Sequence, residues 1–203
     1  MKFSNSTKIT FFLSLCLILC VGCRTRREYP VKEGVAYKVI KVLDGDTYDI
    51  LLPDTTQARI RMLGIDAPEK AQDFSKKSTQ YLKSLIAGQY VTLTDIDMEQ
   101  YGRYLAFTHL SDGREAGEEM LKAGYAWHFK KYNQDKKLAA LEDSAKANQV
   151  GLWGDKHPVE PWIWRCMQKK GYKFVETKQL KIEGKLPDLK AAQEMPKKEK
   201  TAE

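Results

Sequence analysis

Three β-forming runs separated by short turns, all within residues 37–65, constrain the fold of this chain more than any other feature. The first run, residues 37–43, leads into Asp44-Gly45, a dipeptide that signals a hairpin turn. The second, residues 47–52, ends at Pro53-Asp54. In the third, residues 57–65, Arg59 and Arg61 alternate with Ala58, Ile60 and Met62, which gives one charged face and one apolar face. Three consecutive strands with short turns point to an antiparallel meander.

Beyond the meander the period changes. Phe74, Tyr81, Leu82, Leu85 and Ile86 fall on one face of a helix expected at about 74–87, with Gly88 after its last turn. Residues 90–96 and 103–110 read as two further strands joined by a polar connection at 97–102. Asp112-Gly113 turns the chain into a short helix near 115–123, closed by Gly124. A third helix, about 134–148, places Leu138, Leu141 and Ala145 on one stripe. Trp153, Trp162 and Trp164 follow, and are expected to lie as lids on the core. Five strands interrupted by a helix after the third, and finished by helices, predict an α+β fold around a closed barrel of OB type.

The 203 residues carry a net charge of +7, with 42% apolar and 30% charged residues, a mixture that excludes a wholly disordered chain and a multi-span membrane protein. The charge is uneven. Residues 1–22 contribute +2 and residues 166–203 contribute +4, leaving +1 for the whole of 23–165. The basic balance therefore gives no argument for nucleic-acid binding, which would have to rest on a local site.

The first 22 residues hold Lys2 and Lys8 ahead of an apolar run of about 14 residues, too short to span a bilayer and suited to a secretory signal. Gly22 then precedes Cys23, and this junction resembles the lipobox of bacterial lipoproteins, although Cys20 stands where Leu is usual. The resemblance implies acylation of Cys23 and a lipid anchor in a cell membrane or outer membrane, outside the cytoplasm; a plain cleaved signal would give secretion instead. Residues 23–35 read as a charged tether, 36–165 as the folded domain, and 166–203 as a solvated, largely disordered tail rich in Lys and Glu. The four Cys show neither a disulfide framework nor zinc spacing.

Chemistry concentrates where the expected strands end. Asp44-Gly45-Asp46-Thr47, then residues 61–69 with Arg61, Asp66-Ala67-Pro68-Glu69, then Tyr101-Gly102-Arg103, each have a structural explanation alone as a turn, a loop cap and a strand start. Together they supply clustered acids flanked by two arginines, a set suited to metal-assisted phosphodiester cleavage. Carboxylates with a backbone carbonyl form a hard-oxygen site for Ca²⁺. A further carboxylate can take a proton from water, and guanidinium forks match phosphate geometry.

These three linked motifs, in this order and spacing, resemble the staphylococcal nuclease (thermonuclease) family over residues 37–165. The likeness includes Gly151-Leu152-Trp153 and Pro161-Trp162-Ile163-Trp164-Arg165, a tail of bacterial members. The resemblance implies an OB-fold barrel and Ca²⁺-dependent hydrolysis of DNA and RNA to products ending in a 3′-phosphate. It matches Asp46 and Asp66 to calcium-binding carboxylates and Ala67 to a residue offering its backbone carbonyl. Glu69 matches the proposed general base, and Arg61 and Arg103 the catalytic arginines. Tyr101 and Tyr132 match nucleotide contacts. Ala67 replaces Thr and Gln100 replaces a phosphate-contacting Lys, so the catalytic set is intact while the binding periphery has drifted. His109, His128 and His157 match no motif and read as surface or packing residues, and Trp127 and Phe129 as core rather than base-stacking groups. The other reading is a catalytically silent OB-type module that binds nucleic acid at the cell surface; no feature calls for a protein partner.

Overall fold

The computed structural model of the protein describes residues 31–99, 102–173 and 181. The expected signal, Cys23, Gln100, Tyr101 and nearly all of the tail beyond 173 lie outside them. Five strands close a barrel: β1 (Ala36–Val42), β2 (Thr47–Leu51), β3 (Gln57–Met62), β5 (Tyr90–Met98) and β6 (Tyr104–His109), in the order β1-β2-β3-β6-β5 with β5 returning to β1. The expected meander is present, since β1–β2 and β2–β3 are antiparallel. Closure comes from a parallel pairing of β3 with β6. The two-residue strands β4 (Ile65–Asp66) and β7 (Trp127–His128) form a separate pair beside the barrel.

The strand expected over 57–65 is thus two. β3 ends at Met62, and Gly64 then takes a φ of +75°. A Cβ there would meet the Leu138 side chain at 2.6 Å, so glycine is required both by conformation and by contact. The turn re-aims the chain, and this is what carries Asp66 away from the barrel wall.

Alternation decides the interior. In β3, Ala58, Ile60 and Met62 are buried while Arg59 and Arg61 point outward, as the sequence predicts. Tyr48, Ile50, Ile60, Met62 and Leu93 are all less than 2% exposed and fill the barrel. Helix α1 (Ser75–Ile86) closes it with Leu82 and Ile86, and α2 (Ala116–Lys122) adds Met120 and Leu121. Helix α3 (Lys136–Ala147) docks Leu138 and Ala145.

A fourth helix, α4 (Pro161–Lys169), was not foreseen in the periodicity. Pro161 opens it, where a missing N–H costs nothing, and Pro161, Trp164 and Met167 are its buried residues at three-residue spacing. The helix runs across the expected domain end at 165. Val31, inside the expected tether, is buried in the core. The tryptophans act as lids: Trp153 meets Trp127 edge-on at 5.4 Å, and Trp162 stacks on Phe129 at 5.4 Å. No helix among the described residues is long and apolar enough to cross a membrane.

Candidate active site

The site begins in the β1–β2 turn. Strand register sets Thr47 opposite Arg61, and the Met62 N–H donates to the Asp46 carbonyl at 2.8 Å. Asp46 therefore stands beside Arg61 by backbone pairing alone. Its carboxylate accepts the Ala67 N–H (2.6 Å, Oδ2) and the Thr47 hydroxyl (2.9 Å, Oδ1). Gly45 permits this closeness: a Cβ there would lie 1.9 Å from Ser78 Oγ on α1 and 2.7 Å from Ala67 Cβ. The Asp44-Gly45 turn is where the sequence predicts it, but glycine is needed there for close approach of α1 and the Ala67 loop.

Asp66 arrives from the other side, held on β4 by pairing with Trp127 of β7. Arg61 joins the two acids. Its Nη2 donates to Asp66 Oδ1 at 2.7 Å, and its Nη1 lies 2.6 Å from Asp46 Oδ2, within ion-pair range but off the line of a hydrogen bond. Both aspartates are almost fully buried, at 4% and 1% exposure. One guanidinium thus faces two buried carboxylates from segments 20 residues apart in sequence.

Glu69 lies three residues past Asp66, on the loop before α1, with its carboxylate at the rim. The loop is tied to itself: the Gln72 N–H donates to the Glu69 carbonyl (2.7 Å), and the Glu69 N–H donates to Gln72 Oε1 (3.0 Å). Arg165 of α4 enters the same site. Its Nη1 and Nη2 donate to Asp66 Oδ1 and Oδ2 at 3.1 and 2.8 Å, and Nη1 also donates to Glu69 Oε1 at 2.6 Å. Partial burial works against the Arg165 charge, but Asp66 and Glu69 more than offset this and raise its pKa.

Asp44, Asp46, Asp66 and Glu69 outnumber the two guanidinium groups even so. Burial first, and the adjacent Asp46 charge second, push the Asp44 carboxyl up to about 7. Asp66 is also raised, by burial, against the pull of Arg165 and Arg61. A buried carboxylate that holds its proton beside another carboxylate marks a place where positive charge is in short supply. All the side-chain donors here are hard oxygens, and Arg61 Nη1 has an N–H without a hydrogen-bond acceptor. Both properties fit a divalent cation and a phosphate better than a transition metal. Asp46 and Asp66 could hold such an ion, with Ala67 next to them through its N–H on Asp46. Among the described residues no three His, Cys, Asp or Glu side chains converge on one point, because the carboxylates are turned onto guanidinium groups.

Of the residues singled out from the sequence, Asp46, Arg61, Asp66, Ala67 and Glu69 come together. Arg103 does not join them: it precedes β6 and is paired with Glu99 through Nε at 2.7 Å and Nη2 at 2.5 Å. Tyr132 is 72% exposed, with its ring against Phe129 at 4.8 Å and Lys131 Nζ above it at 5.5 Å. Tyr101 and Cys23 lie outside the described residues. His128 is a packing residue, its Nε2 hydrogen-bonded to Asn133 Oδ1 at 3.1 Å. Two residues that lie in the sequence motifs without an assigned role, Asp44 and Arg165, also contribute to the site. Asp44 had a signal, two acids one glycine apart at a strand end. Arg165 had only the helix-opening Pro161 and the Pro161/Trp164/Met167 spacing, which locate its helix but not its target.

The family model described as staphylococcal nuclease homologue matches residues 59–155. An uncharacterized endonuclease of Escherichia coli is 45% identical over 129 residues, covering 63% of this chain and 83% of that protein. A micrococcal nuclease of Shigella flexneri is 33% identical over 142 residues, covering 65% of this chain and 81% of that protein. A probable staphylococcal-like nuclease of rice is 38% identical over 137 residues, although these make up only 34% of its length. With its barrel order, its buried acid–arginine cluster and relatives of this kind, the chain belongs to the staphylococcal nuclease family.

Proposed function

We propose that the protein is a Ca²⁺-dependent phosphodiesterase that hydrolyses DNA and RNA to products ending in a 3′-phosphate. The observation that carries this reading is the bridge of Arg61 between buried Asp46 and Asp66, with the Glu69 carboxylate at its edge. A bound Ca²⁺ supplies charge neutralisation and orientation of the scissile phosphate. Arg61, whose Nη1 is ion-paired with Asp46 but donates no hydrogen bond, takes a phosphate oxygen and stabilises the charge that grows on it. Arg103 can do the same only by exchanging Glu99 for phosphate. Glu69, more exposed than either aspartate, takes a proton from the attacking water. Water oxygen bonds to phosphorus, the bond from phosphorus to the 5′-oxygen breaks, and the leaving oxygen takes up a proton from solvent. The phosphate stays on the 3′ side. Exposed Tyr132, beside Phe129, offers a face for a base.

The test is digestion of single- and double-stranded DNA and of RNA by the wild type with Ca²⁺, by the wild type with chelator, and by Glu69→Ala with Ca²⁺. Cleavage by the first alone, with 3′-phosphate ends, supports the reading; equal cleavage in all three, or none in any, overturns it. Salt-dependent DNA retention without cleavage would instead establish the silent binding module.

Residues 1–23 support a second, separate proposal, display outside the cytoplasm through a lipid on Cys23. Labelling cells with radioactive palmitate checks it. Label carried by the wild type and lost in Cys23→Ser is expected; label that persists in Cys23→Ser assigns the lipid elsewhere.

A further inference from the structure

The residues matched by the family model end at 155, yet the segment that follows makes three separate attachments to the loop carrying Glu69. Arg165 holds the Glu69 carboxylate at 2.6 Å while gripping both oxygens of Asp66. The Val159 carbonyl accepts a hydrogen bond from Gln72 Nε2, and Gln72 is the residue whose Oε1 accepts the Glu69 N–H. Lys181, buried to 8% exposure, pairs with Asp73 at 2.8 Å and with Asp155 at 2.5 Å. The last pairing also brings into contact with the domain a position in the tail expected from the sequence to be solvated. These attachments involve residues 69, 72 and 73 of the loop 67–74 between β4 and α1.

A loop with a catalytic carboxylate at its rim has little else to hold that carboxylate. Glu69 itself donates only its backbone N–H to its own loop, and its side chain is 38% exposed. A rim carboxylate free to rotate spends little time in the one orientation that can accept a proton from a phosphate-bound water, and misplacement by about 1 Å can cost about a hundredfold in rate. The Arg165 fork is shared between Glu69 and Asp66, so the orientation of the mobile acid is referred to the buried one. Trp164, the neighbour of Arg165, is buried at 4% exposure, and Trp162 is stacked on Phe129, so α4 presents the guanidinium from a packed base.

We propose that Arg165 is a positioning residue of the nuclease site. Supplied by α4, past the residues 59–155 matched by the family model, it holds Glu69 in register with Asp66, while Val159 and Lys181 fix the loop that carries it. The inference rests on the nuclease reading above and adds to it a residue outside the resemblance-derived set. A contact that served only to dock α4 would affect stability and leave the turnover of folded enzyme alone.

The experiment uses the full chain as wild type, Arg165→Gln, Arg165→Lys and Glu69→Ala. Steady-state cleavage of single-stranded DNA is measured with saturating Ca²⁺, and amide hydrogen exchange at residues 69–74 is measured without Ca²⁺. Arg165→Gln is expected to lower kcat by about 10- to 100-fold with KM changed less than about threefold, since the lost interaction acts in the transition state through Glu69. Arg165→Lys, which keeps the charge but not the fork, is expected to recover part of the loss, and exchange at 69–74 is expected to quicken in both variants. If Arg165→Gln does not fold, a lowered kcat and faster loop exchange in Arg165→Lys decide the matter in favour. Wild-type kcat in the folded variants overturns the proposal, as do unchanged exchange at 69–74 or a raised KM with intact kcat, which would make Arg165 a substrate contact. If the wild type cleaves, Glu69→Ala does not and Arg165→Gln matches the wild type, the positioning role fails and the nuclease reading stands. If Glu69→Ala retains the wild-type rate, the reading beneath it fails.

Discussion

Asp44 lies two residues from Asp46, and its Oδ1 accepts the Asp46 N–H at 3.1 Å. Burial, then the Asp46 charge, raise its carboxyl to about 7, whereas an unfolded Asp titrates near 4. Between those values the folded chain keeps a proton that the unfolded chain has released. The contribution to stability is complete below about pH 4 and is lost as pH rises through 7. Asp44→Asn keeps the accepting oxygen and cannot ionise. In chelator it is expected to match the wild type near pH 4 and to exceed it by about 1–4 kcal/mol at pH 8. Urea denaturation at the two pH values measures the difference, and a gap that is constant with pH would mean that Asp44 does not titrate in this span. Adding Ca²⁺ at pH 8 is expected to narrow the gap, because positive charge beside Asp46 favours ionised Asp44.

At the scale of elements, one side chain welds β6 to α2. Glu115 caps α2 by accepting the Gly117 N–H at 2.9 Å and the Glu118 N–H at 2.7 Å, and it also accepts the Thr108 N–H at 3.3 Å from within β6. Glu115→Ala orphans three buried or half-buried N–H groups and is expected to cost about 1–3 kcal/mol, which thermal denaturation would read as a loss of about 3–10 °C. Glu115→Gln keeps acceptor oxygens and is expected to lose less. This weld was not visible in the sequence, where Glu115 only marks the start of an expected helix. The barrel itself was legible, since the outward Arg59 and Arg61 alternate with buried Ala58, Ile60 and Met62, and Gly88 follows α1. Helix α1, expected at about 74–87, occupies Ser75–Ile86 for the reason given by its apolar stripe. Two-residue β4 and β7 are too short for any period to reveal, and α4 was hidden because its aromatic residues read equally well as lids. In the site, Asp46, Arg61, Asp66 and Glu69 were legible because their motifs are local. Arg165 meets Glu69 across 96 residues of sequence, an outcome of packing that no spacing encodes, whereas Arg103 is drawn to Glu99 only four residues away.

For the molecule as a whole, the charge of +7 belongs mostly to the two ends, and residues 23–165 are nearly neutral. Attraction of a polyanion to this domain therefore depends on local groups rather than on a basic face. Arg61 and Arg165 are spent on Asp46, Asp66 and Glu69 in this structure, so the cluster has no net positive field of its own to offer a phosphate. A divalent cation at Asp46 and Asp66 would reverse that balance and free Arg61 for the substrate while Arg165 keeps Glu69, so the chemistry turns on cation binding. Calorimetric titration of Ca²⁺ into the full chain without nucleic acid tests it most directly, alongside Asp46→Asn and Asp66→Asn. One ion bound per wild-type chain is expected, with a loss of at least about tenfold in affinity in each variant. Wild-type affinity retained in both variants, or DNA cleavage by a wild-type chain that binds no Ca²⁺, would contradict it.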